Sequence, residues 1–284
     1  MNDERIVQVG GVDLCLQTFG DAADPALLLV AGAGSAMDWW EDAFCARLAA
    51  GRRFVVRYDF RDTGRSVSYP PGAPGYTWRD LVADAVGLLD ELGVRRAHLV
   101  GVSMGGGLAQ VVAVEHAERV ASLTLISTSP AGPGGEGLPP VSDELAAALS
   151  RLAPPADWSD RAAVADFLVE SQRALAGPAS FDEPRVRALL DRVLDRTADI
   201  AASTLNHRLI DGGDPVRDRL PGITVPTLVL HGTVDPLFGY GHAEALAREI
   251  PGARLLPLPG VGHEMPPERT WDVVVPALLD HTAG

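Results

Sequence analysis

The sequence predicts an α/β fold: a mostly parallel, doubly wound sheet with an N-terminal antiparallel hairpin and an inserted all-helical lid. Three observations predict it. Short apolar runs with no polar face recur along the chain, as strands covered on both sides require. Segments of helical period separate them, and strand–helix alternation marks a sheet with helices on both faces. The alternation stops between about Gly132 and Pro215 and then resumes.

Arg5–Val9 and Val12–Phe19 are extended segments around Gly10-Gly11, the pattern of a β-hairpin. Ala26–Val30 (ALLLV), Phe54–Tyr58 (FVVRY), 97–100 (AHLV), 122–126 (SLTLI), 227–230 (TLVL) and Arg254–Leu258 (RLLPL) are expected as buried strands. Thr77 can cap a helix in which Leu81, Ala85, Leu88, Leu89 and Leu92 share a face and which ends at Gly93. Further helices are expected over 105–116, 241–250 and 270–281. GPGGEGLPP (132–140) reads as a flexible exit and DGGDP (211–215) as the return. Between them lie helical stretches at 143–152, 161–175 and 183–194, with no strand. The expected organisation is a core of residues 1–131 and 216–284 with a helical cap at 132–215, placed over the sheet edge where open α/β folds bind ligands.

Composition narrows the function. The 284 residues are 46% hydrophobic and 22% charged, enough apolar material for one large core. A net charge of −14 repels a phosphate backbone, so no nucleic-acid partner is expected. All 24 basic residues are arginine, which excludes chemistry that needs a lysine amine, such as Schiff-base formation. Cys15 and Cys45 read as free thiols of a reducing cytoplasm. The start, MNDERIVQ, lacks the basic and apolar regions of a signal peptide. The longest apolar run, 26–33, is too short to span a bilayer. A cytoplasmic protein with no membrane partner is expected, its oligomeric state open.

The strongest local signal is Gly101-Val-Ser103-Met-Gly105, a G-x-S-x-G directly after a buried strand and directly before a helix. A nucleophile elbow turns so sharply that the residues two before and two after the serine have no room for a Cβ. The alternative is a glycine turn needed only for close helix–strand packing. A serine hydroxyl needs a base to act as a nucleophile. Of seven histidines, His98, His116, His231 and His281 are placed for packing or surface roles, and His242 for a capping or surface role. His207 lies in the lid, either touching substrate or solvated or packed. His263, in a glycine-rich loop after the last strand, returns to the active edge. Asp235, after the preceding strand, can fix its tautomer and stabilise the imidazolium. Each residue alone could be a loop-capping polar group, but together they form a candidate triad in the order Ser, Asp, His. The expected oxyanion donors are the amides of Met104 and Ala33, the latter in the small-residue loop Ala31-Gly32-Ala33-Gly34-Ser35. No metal motif and no dinucleotide fingerprint occurs, so no metal and no cofactor are expected.

Residues 26–35, 58–66 (YDFRDTGRS), 101–106, 226–235 and 260–263 resemble the successive motifs of the α/β-hydrolase superfamily. The first part of the chain is most similar to tailoring esterases of the aclacinomycin methylesterase kind. The resemblance covers about 3–130 and 220–280 and fades in the lid. It implies the α/β-hydrolase fold, Ser103 as nucleophile, Asp235 as acid, His263 as base, and Ala33 and Met104 as oxyanion donors. One departure is Ala31, where the family usually has histidine. The 58–66 segment reads as a structural loop, with Arg61 and Asp62 near the active edge.

A small, hydrophobic, ester-like substrate is expected, with a methyl ester of a polyketide-like molecule suggested by the resemblance alone. Gly32, Gly34, Trp39, Trp40, Leu237 and Phe238, with Trp158, Phe167, Phe181 and His207 from the lid, are the candidate pocket residues; each aromatic can equally be core. Hydrolysis of a C–C bond or a lactone, or a cofactor-free haloperoxidase or perhydrolase reaction, would use the same triad. A ligand-sensing protein without turnover is the alternative of another class.

Overall fold

The structure, a computed structural model, describes residues 4–132 and 135–283. Pro133 and Gly134, within the expected exit from the core, lie outside the described residues, as do the first three residues of the polar start and Gly284. Strands β1 (Arg5–Val9) and β2 (Val12–Phe19) form the antiparallel hairpin, and β2 pairs antiparallel with β4 (Phe54–Tyr58). From there β3 (Ala26–Val30), β5 (Ala97–Val102), β6 (Val120–Ile126), β7 (Thr227–Gly232) and β8 (Arg254–Leu258) continue in parallel, giving the order β1-β2-β4-β3-β5-β6-β7-β8. This is the fold class read from the sequence. Strands β5 and β7 run two residues further than their apolar runs, because Gly101 and Val102 pair with Leu125 and Ile126 and Gly232 pairs with Leu258.

Helices α1 (Asp42–Ala50), α2 (Trp78–Glu91), α3 (Met104–Glu115), α8 (Gly241–Glu249) and α9 (Trp271–His281) pack on the sheet. Thr77 and Asp80 form a full capping box on α2, and Leu81, Ala85, Leu88 and Leu89 are buried beneath it. Helix α1 is not predicted from periodicity, since its buried face is only Phe44, Cys45 and Leu48. Residues 135–215 hold α4 (Asp143–Arg151), α5 (Arg161–Leu175), α6 (Glu183–Arg196) and the short α7 (Ile200–Leu205), with no strand among the described residues. Helix α7 is too short to show a period. No helix is long and apolar enough to cross a membrane among the described residues.

Strand register brings the loops together. Val30 pairs with Gly101, so the 31–35 loop leaves the sheet beside the turn at Ser103. The β7 and β8 ends are equally close: a Cβ on Gly232 would stand 2.2 Å from the Val261 carbonyl oxygen. Val234 N–H donates to that same carbonyl at 3.1 Å.

Candidate active site

The turn between β5 and α3 is strained at one residue. Ser103 has φ 52° and ψ −118°, a conformation that L-residues avoid unless the surroundings impose it. The surroundings do so through glycine. A Cβ on Gly101 would lie 2.2 Å from the Gly105 carbonyl oxygen, and one on Gly105 would lie 2.3 Å from the Ala31 carbonyl oxygen. Both positions of the G-x-S-x-G motif are therefore fixed by backbone-to-backbone contact, the close packing that both readings of the motif require.

The Ser103 hydroxyl lies 2.9 Å from His263 Nε2, and His263 Nδ1 lies 2.9 Å from Asp235 Oδ2. With Nδ1–H donating to the carboxylate, Nε2 is left to accept the hydroxyl proton. Asp235 is buried, and its Oδ1 accepts the amides of Leu237 and Phe238 at 2.9 and 2.8 Å. The Phe238 ring stands edge-on to His263 at 5.3 Å. Leu237 and Phe238, expected to line a pocket, thus hold the carboxylate by their amides, and Phe238 also covers the imidazole. His231 sits behind them, its Nε2 donating to the Phe238 carbonyl at 2.7 Å, with burial pushing its pKa down.

Gly32 lies beside the serine: a Cβ there would stand 3.6 Å from Ser103 Cβ. The Gly34 amide donates to His207 Nδ1 at 2.8 Å and is already occupied. Ala33 N–H makes no hydrogen bond among the described residues, and Met104 N–H is a first-turn amide with no intrahelical acceptor. The helix α3 N-terminus adds its positive dipole end there. A Ser–His–Asp chain beside two such amides can attack a carbonyl and hold the oxyanion that forms.

The aromatic candidates separate. Trp39 packs on helix α6 through Leu189 and Val193, and it borders two cavities partly lined by the 135–215 helices. One is lined by Ala33, Gly34, Phe167, Leu190 and His207, the other by Phe181, Leu189, Met265 and Trp271. Trp40 also reaches the second cavity but is a core residue, 1% exposed and stacked on Phe44 at 5.7 Å. Trp158 is not brought to the site: it stands edge-on to Phe167 and lines a separate hollow with Arg161, Leu194 and Thr197. His242 is neither a cap nor a surface residue. It is buried between Ser129 Oγ and the Pro139 carbonyl, 2.9 Å from each.

Several residues that order the site are absent from the motif reading. The Leu175 carbonyl at the end of α5 accepts His263 N–H at 2.8 Å, so α5 touches the histidine loop directly. Glu264 accepts the amides of Gly177 and Gly262 at 3.1 and 3.0 Å, joining the segment after α5 to the same loop. Arg196 of α6 reaches down to Asp59, Asp38 and Glu4. Each pairs residues far apart in sequence, so no local pattern announces it. Arg61 forms a two-pronged ion pair with Asp84 at 2.7 and 2.8 Å, and Asp62 accepts Tyr69 N–H and Asn206 Nδ2, which makes 58–66 a structural loop. Burial pushes the thiols of Cys15 and Cys45 up to about 12, which leaves neither as a thiolate nucleophile. Among the described residues no cluster of His, Cys, Asp and Glu has the geometry to hold a metal ion.

Comparison with known proteins agrees with this architecture. A family model described as the alpha/beta hydrolase fold matches residues 25–270. The rhodomycin D methylesterases DauP of Streptomyces sp. (strain C5) and DnrP of Streptomyces peucetius are 34% and 33% identical over 280 residues, each covering 92% of both chains. Among solved structures, the enol-lactonase from Burkholderia xenovorans LB400 superposes with a TM-score of 0.76 at 28% identity, covering 99% of this chain and 100% of the other.

Proposed function

The chain belongs to the α/β-hydrolase family, and on that premise we propose that it is a serine hydrolase that cleaves a carboxylic ester through an acyl-enzyme on Ser103. The observation that carries the reading is the unbroken hydrogen-bonded chain from Ser103 Oγ through His263 to Asp235. Ser103 attacks the ester carbonyl as His263 Nε2 takes its proton. The oxyanion is held by the Ala33 and Met104 amides, each such donor lowering the barrier by about 3–4 kcal/mol in a preorganised site. His263 then protonates the leaving alcohol. Water, deprotonated by the same histidine, releases the acid and restores the serine. Asp235 keeps its charge throughout and holds the imidazole in one tautomer.

Residues 132–215 act as a cap on the core formed by 1–131 and 216–284, and substrate lies between them. A bulky, hydrophobic methyl ester of polyketide type is the substrate that the likeness to two rhodomycin D methylesterases supports, with Trp39, Phe167 and Phe181 as aromatic lining of nearby cavities. The buried thiols suit a reducing cytoplasm. Lactone hydrolysis is the second reading, favoured by the likeness to the enol-lactonase. A panel of aromatic polyketide methyl esters, simple p-nitrophenyl esters and enol-lactones separates these. The expected result is turnover of p-nitrophenyl esters, with the highest kcat/KM on a bulky methyl ester. Preference for lactones over every ester would favour the second reading, and no turnover of any ester would refute the first.

A further inference from the structure

The loop that faces Ser103 is held by a histidine from the cap. Gly34 N–H donates to His207 Nδ1 at 2.8 Å, and His207 Nε2–H donates to the Arg61 carbonyl at 2.9 Å. Both ring nitrogens are occupied, which specifies the neutral tautomer with its proton on Nε2. The ring is buried, edge-on to Phe60 and Tyr76, and burial pushes its pKa down, in keeping with the neutral form. It borders the cavity beside Ala33, yet it has no free nitrogen to offer a substrate.

The same cap segment grips the loop elsewhere. Ser203 Oγ donates to the Gly34 carbonyl at 3.2 Å. A Cβ on Gly34, which has φ 68°, would lie 2.8 Å from the Ser203 carbonyl oxygen, so only glycine lets the cap backbone come this close. Asn206 anchors the segment to the core by donating to Asp62 at 2.9 Å and accepting Gly72 N–H at 2.7 Å. Within the loop itself, Ser35 N–H to the Gly32 carbonyl, at 3.1 Å, closes a single turn. The Gly34 amide belongs to the peptide plane that follows Ala33. Holding that plane restrains the ψ angle of Ala33, the residue read above as an oxyanion donor.

We propose that His207 is a positioning residue that holds the Ala33 amide where the oxyanion forms, so that docking of the cap completes the oxyanion hole. The inference rests on the ester-hydrolase reading above. Loss of the bond costs transition-state stabilisation rather than substrate affinity, because the oxyanion exists only after attack.

Wild type and Ser103→Ala are first assayed on a p-nitrophenyl ester; absence of Ser103-dependent turnover there refutes the ester-hydrolase reading itself. Three variants then test His207. In His207→Asn the side-chain oxygen takes the place of Nδ1 and still accepts from Gly34. In His207→Gln the side-chain nitrogen takes the place of Nε2 and keeps the Arg61 bond alone, and His207→Leu keeps neither. The expected result is a kcat lowered about 10- to 100-fold in the Gln and Leu variants, with KM within about threefold of wild type. The Asn variant should stay within about threefold of wild type in both. Affinity for a boronic acid, which forms a tetrahedral adduct on the serine, should fall by the same factor as kcat. Wild-type kcat in the Gln variant, or a loss in the Asn variant equal to that in Gln, would overturn the proposal. If the Leu variant does not fold, the contrast between Asn and Gln still decides it.

Discussion

Replacing Ser103 by alanine is expected to lower kcat on an ester by on the order of 10⁶, and replacing His263 by alanine by about the same factor. The double variant should be no slower than either single one. The hydroxyl and the imidazole, 2.9 Å apart, work as one unit: a serine without its base is not a nucleophile, and a base without its serine has nothing to deprotonate. Asp235→Asn should cost less, on the order of 10⁴, because the serine–histidine pair survives with its imidazole held in the wrong tautomer. Residual hydrolysis should remain in all of them, since the Ala33 and Met104 amides still meet the carbonyl. Single-turnover and steady-state rates for the four variants check this. Losses that multiply in the double variant would mean that Ser103 and His263 act separately.

Arg196→Leu is expected to lower stability at neutral pH by about 3 kcal/mol, the low end for breaking a buried ion pair, since Arg196 keeps some contact with solvent. Its guanidinium lies 2.8 Å from Asp59 and 2.7 Å from Glu4, and it also pairs with Asp38. Asp59 is fully buried and accepts the amides of Met37 and Arg65, so without Arg196 its charge stays uncompensated. Burial already holds the Asp59 pKa above its ordinary value against the pull of Arg196. A carboxyl with a raised folded pKa binds its proton more tightly folded than unfolded, so its contribution to stability falls as pH rises through the folded value. Without Arg196 the Asp59 pKa rises further. The deficit should therefore be largest near pH 7 to 8 and shrink as acid protonates Asp59. Urea midpoints across that range measure it, and a deficit that grows toward acid would contradict the assignment.

The core and the candidate triad were legible because their signals are local. Most strands of the parallel part are short, largely apolar runs, and the elbow announces itself in five residues, Gly101 to Gly105, whose glycines answer to backbone contacts at 2.2 and 2.3 Å. Asp235 and His263 follow strands that could be counted in order. The cap was legible only as helices. The contacts of these helices with the rest of the chain lie in pairings such as Arg196 with Asp59, His207 with Gly34 and Leu175 with His263, separated by more than eighty residues each. Helix α7, which leads to His207, is six residues long and leaves no periodic trace. Trp158 and Trp40 show the limit from the other side: an aromatic in a cap or beside an active loop looks the same in sequence whether it meets substrate, core or an outer hollow.

In the proposed reaction everything depends on Ser103 being an activated nucleophile. Intact-protein mass spectrometry after exposure to a fluorophosphonate tests it most directly, followed by peptide mapping. One adduct per chain is expected, located on Ser103, absent from Ser103→Ala and formed far more slowly in His263→Ala. An adduct on another residue, or no adduct on the folded wild-type protein, would contradict it.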